Sequence, residues 1–123
     1  MITMTLPLPP SVNQCYGTDF NTRRRFKTAK YKEWEEEAAI SYLGQKKYKI
    51  TGDRWLIVKY LFYMPLYTKK GKIKKNDLCN REKALSDWIG GHVTGFEDSK
   101  ILEICMEKIN SERNEVEVFV KEC

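Results

Sequence analysis

Ile2, Met4 and Leu6 alternate with threonines in "MITMTL". A period of two puts the apolar side chains on one face and predicts a first strand. The prolines, serine, asparagine and glycine of "PLPPSVNQCYG" end it in a turn. The polar "TDFNTRRRF" that follows reads as a mobile loop. From Thr28 to Leu43 the period changes: Tyr31, Trp34, Ala38 and Tyr42 recur every three or four residues, the stripe of an amphipathic helix. Glu33, Glu35, Glu36 and Glu37 occupy its other faces, Thr28 is the expected N-cap and Gly44 the expected stop. "RWLIVKYLFYMP" alternates Leu56, Val58, Tyr60, Phe62 and Met64 against Trp55, Ile57, Leu61 and Tyr63, with Lys59 interrupting the second set. A strand apolar on both sides is expected at the centre of a sheet, covered twice. A second helix is predicted from Cys79 to Ile89, with Ala84, Leu85, Trp88 and Ile89 inward and Gly90-Gly91 as its stop. "KILEICMEKI" and "EVEVFVKE" alternate as strands, and "NSERN" between them predicts a hairpin. The order β-α-β-α-β-β predicts an α+β fold, a mixed four-stranded sheet carrying two helices, as a single domain over residues 1–123.

With 41% hydrophobic residues the chain can build a core, and disorder is excluded as a description of the whole. Its net charge of +5 favours a polyanionic partner, and the distribution says more than the sum. Arg23, Arg24, Arg25 and Lys27 form one basic cluster; Lys69, Lys70, Lys72, Lys74 and Lys75 form another. Two such clusters fit a surface that follows a phosphate backbone, or a pair of solvated loops. Cys15, Cys79, Cys105 and Cys123 form no C-x-x-C pair, and His92 has no ligand-like spacing to them, which argues against a zinc site. "MITMTLPLPP" lacks the charged start and apolar core of a signal peptide, and "WLIVKYLFYMPLY" is too short to span a bilayer. The expectation is a soluble protein of a reducing compartment with free thiols.

The candidate chemistry lies in "KKNDLCNREKALSDW" and "FEDSKI". Asp77 stands before the second helix; if residues 77–79 are extended, Asp77 and Cys79 point the same way. Asn80, Lys83 and Asp87 share a polar helical stripe (i, i+3, i+7). Glu97 and Asp98 precede the next strand, where a loop can bring them to the helix start. Phosphodiester hydrolysis suits such a set: carboxylates hold Mg²⁺, and a lysine stabilises developing negative charge. The bland alternative is a helix cap at Asp77, a turn at Asp98 and a surface pair between Lys83 and Asp87. Trp34, Trp88 and Tyr31 are expected in the core or an interface, and His92 on the surface. Phe26, amid arginines, is either a wedge into opened DNA or locally packed.

The whole chain resembles the RusA-type Holliday-junction resolvases. Three stretches carry the resemblance: "LPLPPSVNQCYG" is similar to the family's opening strand and Pro-Pro-Ser turn, "DLCNREKALSD" to its Asp-x-Asp-Asn-x-x-Lys pattern with a further Asp four residues on, and "GFEDSKI" to its paired acids before the third strand. The resemblance implies a RusA-like domain, a homodimer that binds four-way junction DNA and nicks it symmetrically with Mg²⁺ or Mn²⁺, in the cytoplasm of a bacterial cell and encoded by a host, phage or prophage. Carried over, Asp77 and Asp98 are metal ligands, Lys83 is the catalytic lysine, Asn80 supports the site and Asp87 lies on the same stripe. The departure is Cys79, where the family has its second aspartate; a thiol is a poor Mg²⁺ ligand. Three explanations follow. Water fills the vacancy, Glu97 or Asp87 compensates, or the protein binds branched DNA and cuts it weakly or not at all. A basic accessory protein without branched-DNA preference is the third function class.

Overall fold

The computed structural model describes residues 1–75 and 77–123. Strand β1 (Ile2–Pro7) buries Ile2, Met4 and Leu6, as their alternation requires. The proline turn after it contains a one-turn helix, α1 (Val12–Cys15), which the sequence reading took for turn alone. The "TDFNTRRRF" segment is not a mobile loop: β2 (Tyr16–Thr18) and β3 (Arg25–Lys27) pair antiparallel in a small hairpin around it. Helix α2 (Ala29–Leu43) starts where expected, the Thr28 hydroxyl accepting from the Tyr31 N–H at 3.2 Å, and buries Tyr31, Trp34, Ala38 and Tyr42. Strand β4 (Leu56–Met64), helix α3 (Leu78–His92), a 3-10 turn (Asp98–Lys100), β5 (Ile101–Asn110) and β6 (Glu115–Glu122) complete the order.

The main sheet is mixed and four-stranded, in the order β1-β6-β4-β5. β4 is central as predicted, but β5 and β6 do not form a hairpin: β4 lies between them, parallel to β5 and antiparallel to β6. The turn at 111–114 therefore carries the chain past the end of β4, where the Ser111 N–H donates to the Met64 carbonyl at 3.1 Å. β4 is also covered on one face only. Leu56, Val58, Tyr60, Phe62 and Met64 are buried beneath the helices, whereas Ile57, Leu61 and Tyr63 are half-buried and Lys59 is exposed on the open face.

Both long helices sit over the buried face. Trp34 and Tyr42 of α2 meet Trp88 of α3 edge-on, with ring centroids 6.4 and 5.5 Å apart, so the aromatic stripe is a core seam. The outer edge of β1 is met at Thr5 from just beyond α2: Gln45 Oε1 accepts from the Thr5 N–H at 2.8 Å, and its amide donates to the Thr5 carbonyl. That pairing occupies Thr5, one position of the edge on which another strand could add. Gly90-Gly91 does not stop α3, which runs on to His92. Ile89 before the pair and Val93 after it are buried, and the His92 ring stacks on Trp88 at 4.0 Å, so tertiary contacts override the local glycine signal. The turn that follows places Gly95 at φ 88°, against the Ile50 carbonyl; a Cβ there would lie 2.3 Å from that oxygen. Only glycine fits this approach, and it sets the path into Phe96 and the acids beyond.

Candidate active site

α3 begins at Leu78, so residues 77–79 are not extended, and Asp77 and Cys79 do not point together as strand neighbours. Asp77 is the N-cap instead, its carboxylate accepting from the Cys79 N–H at 3.0 Å. Asp77, Asn80, Lys83 and Asp87 then follow one another at three- and four-residue steps along one side of the helix. Cys79 is exposed in the first turn, one turn before Lys83.

Lys83 is the node of the site. Its ammonium donates to Asp87 Oδ1 at 3.0 Å and lies 3.7 Å from Asp98 Oδ2. The pair with Asp87 is what any helix surface could offer; the approach of Asp98 from the 3-10 turn is tertiary and is not required by it. The hydrogen bond and charge of Asp87, and then the charge of Asp98, raise the Lys83 pKa above its ordinary value. Glu97 pairs with Lys100 at 3.4 Å.

A cleft of about 900 Å³ opens at the N-terminal end of the same stripe, lined by Asp77 and Asn80 with Lys74, Lys75, Arg81 and Lys108. Lys74 and Lys75 come from the lysine-rich segment, a tight reversal held by the Thr68 N–H to the Lys72 carbonyl (2.8 Å) and the Lys74 N–H to the Leu66 carbonyl (2.8 Å). Lys69, Lys70 and Lys72 are exposed around that reversal. Arg81 donates to the Pro9 carbonyl and ties α3 to the proline turn. Arg25 packs over the Tyr16 ring at 4.0 Å, and Lys27 pairs with Glu35 at 3.1 Å, so two members of the other basic cluster are engaged within the protein. The Phe26 ring lies over Gly17, where a Cβ would be 2.5 Å from its tip, and half of it stays exposed. Trp34, Trp88 and Tyr31 are buried in the core.

Sequence reasoning missed Lys108, Ser11 and Gln14, which reach the cleft from β5 and α1. No spacing signal ties them to Asp77. It also missed a polar chain beneath the site. Ser86 donates to Glu82 at 2.6 Å, and the Tyr60 hydroxyl meets Ser86 Oγ at 2.9 Å. Burial holds the Tyr60 pKa well above the usual tyrosine value.

Asp77 stands six residues before Lys83, about 9 Å along the helix axis. Among the described residues no three His, Cys, Asp or Glu side chains converge as a ready-made metal site. The donors present are nonetheless carboxylate oxygens, the hard ligands Mg²⁺ selects, and Mg²⁺ commonly keeps several waters with one or two carboxylates. The donor chemistry therefore fits that ion. Among the described residues no helix is long and apolar enough to cross a membrane. The chain matches the family model described as endodeoxyribonuclease RusA over residues 7–121. No curated protein matches it closely enough to count as a relative.

Proposed function

Taking as premise that the chain belongs to the RusA endodeoxyribonuclease family, we propose that it is a Mg²⁺-dependent, structure-selective nuclease that resolves Holliday junctions by paired nicking, with Mn²⁺ able to substitute. The observation that carries this reading is Lys83 held between Asp87 and Asp98 beside a lysine-lined cleft. Asp98 and Asp77 would hold the ion. Asp87, which adjoins Asp98 through Lys83, would compensate for the acid absent at Cys79. When bound, the ion supplies polarisation of the scissile phosphate and a more acidic water. Asp87 and Asp98 fix the Lys83 ammonium so that it faces negative charge developing on the phosphate, without reorganisation at the moment of reaction. Lys74, Lys75 and Lys108 draw the backbone into the cleft, and the exposed Lys69, Lys70 and Lys72 extend the cationic track along a duplex arm.

The uncovered sheet face supports a homodimer. Ile57, Leu61 and Phe119 lie there around Lys59, with Lys121 and, on neighbouring strands, Glu103, Glu107 and Glu117 beside them. Set against its own copy about a two-fold axis, such a surface would place lysines opposite glutamates. Two catalytic sites so related would suit symmetric nicking. The work would fall in recombination and repair in the cytoplasm of a bacterial cell, for a host or a phage. The second reading, a branched-DNA binder with weak or no cleavage, is favoured by one observation, the thiol at position 79. Incubation of a synthetic four-way junction and an equal length of duplex with Mg²⁺ tests the proposal. The junction is cut in preference, and Lys83→Ala lowers the rate by about 10²–10³-fold while binding is retained. Equal cutting of duplex, or full activity in Lys83→Ala, would overturn it.

A further inference from the structure

Phe20 is 93% exposed, although its ring is large and apolar. It sits at the tip of the β2–β3 hairpin, between Asp19 and Asn21, and that tip is closely tied. Asp19 Oδ1 accepts from the N–H groups of Asn21 (2.9 Å) and Thr22 (3.4 Å). The Arg23 N–H donates to the Asp19 carbonyl at 2.7 Å, and the Asp19 N–H to the Arg24 carbonyl at 2.9 Å. Arg23 takes a left-handed φ of 57° to close the turn. The ring is thus held out by an ordered loop. The hairpin already uses its other aromatic and two of its cations: Phe26 covers Gly17, Arg25 covers Tyr16, and Lys27 pairs with Glu35. Arg23 and Arg24 form no ion pair among the described residues and remain exposed beside Phe20.

The root of the hairpin lies at the rim of the candidate site. Tyr16 and Lys27 share a pocket with Asp87, and Thr28 bonds the carbonyl of Gln14, which lines the cleft of Asp77. Phe20 lies four residues on from Tyr16, a reach of at most about 13 Å.

We infer that Phe20 is a stacking platform for an unstacked nucleobase, with Arg23 and Arg24 on the adjoining phosphates. The inference rests on the reading of the protein as a DNA enzyme. A base offers a π-face whatever its sequence, and an exposed ring between guanidinium groups matches the alternation of base and phosphate along an open strand. At a four-way junction, the open bases are those at the branch point.

The test is equilibrium binding of the full chain, divalent metal withheld so that nothing is cut. The probes are a four-way junction, a perfect duplex and a single-stranded oligonucleotide, each with 2-aminopurine. Phe20→Ala weakens binding to the single strand and the junction by about 5- to 150-fold and leaves duplex binding unchanged. Phe20→Trp restores it. Arg23→Ala with Arg24→Ala lowers the slope of log K against log salt by about 1.4 on the single strand. An unchanged melting temperature, expected for so exposed a side chain, shows that the variant is folded. Phe20→Ala with unaltered single-strand binding overturns the inference and points to a protein partner; an equal loss on duplex also overturns it. If the wild type shows no preference for junction over duplex, the resolvase reading fails, while the single-strand arm still decides the role of Phe20.

Discussion

Replacing Ser86 with alanine removes one oxygen and almost no volume, so its effect isolates a buried hydrogen bond. Ser86 is 1% exposed and Tyr60 0%. Ser86 has one proton, and it goes to the acceptor-only carboxylate of Glu82 at 2.6 Å. The Tyr60 hydroxyl, 2.9 Å away, is therefore the donor in the second bond. In Ser86→Ala that donor stays buried and unpaired, at a cost of about 1–3 kcal/mol. Glu82 is half-buried and recovers a partner from water. Tyr60→Phe, by contrast, leaves Ser86 bonded to Glu82 and costs about 1 kcal/mol or less. The double variant leaves no orphan, so it lies well above the sum of the singles in stability, with a coupling of about 1 kcal/mol or more. Urea unfolding reads this directly: with a slope of about 1–3 kcal/mol/M, Ser86→Ala moves the midpoint down by roughly 1 M. Equal losses in the two single variants, or additivity in the double, would refute the bond assignment.

The same tyrosine gives a pH dependence. Burial raises the folded-state pKa of Tyr60 above its ordinary 10.0, so above about pH 10 the unfolded chain releases a proton that the folded chain keeps. Stability then falls as pH rises, by about 1.4 kcal/mol per pH unit from this group, and Tyr60→Phe removes that share of the slope in alkaline urea titrations. Asp77 has two separable roles. Asp77→Ala loses about 1 kcal/mol of stability with the cap, whereas Asp77→Ser keeps a capping oxygen and most of that stability. On the proposed mechanism both abolish cleavage, and an active Asp77→Ser would reduce Asp77 to a helix cap.

What the sequence made legible is what period encodes. β1, α2 and β4 each carry a long apolar repeat, and each lies where the repeat placed it. Periodicity cannot report adjacency between distant segments. "NSERN" has the composition of a hairpin turn, yet β4 slots between its two strands because Val116, Val118 and Val120 complete a core face with Val58, Tyr60 and Phe62. The open face of β4 looked coverable because its residues are apolar; only the layout of layers shows that nothing within the described chain covers it. The glycine pair misled for the opposite reason, since a local stop signal yielded to the packing of Ile89, His92 and Val93. "TDFNTRRRF" hid a hairpin because its order comes from Asp19 and backbone bonds rather than from an apolar pattern. In the site, the stripe of Asn80, Lys83 and Asp87 follows from helical spacing alone, and Asp77 joins it only because it caps the helix instead of extending alongside Cys79. The arrival of Asp98 at Lys83, and of Lys108 at the cleft, depends on how β5 is laid beside β4, which no local signal carries.

The central claim is that Asp98 and Lys83 belong to a working nuclease site despite the thiol at position 79. The most direct measurement is cleavage of a synthetic mobile four-way junction, with Mg²⁺ and then Mn²⁺, by the natural protein, Asp98→Asn and Cys79→Asp. The account predicts cleavage by the natural protein, none by Asp98→Asn, and equal or faster cleavage by Cys79→Asp, which adds a carboxylate one turn from Lys83 and at a helix N-terminus that favours it. Cleavage by Cys79→Asp alone would contradict the claim and make the natural protein a junction binder; undiminished cleavage by Asp98→Asn would place the chemistry elsewhere.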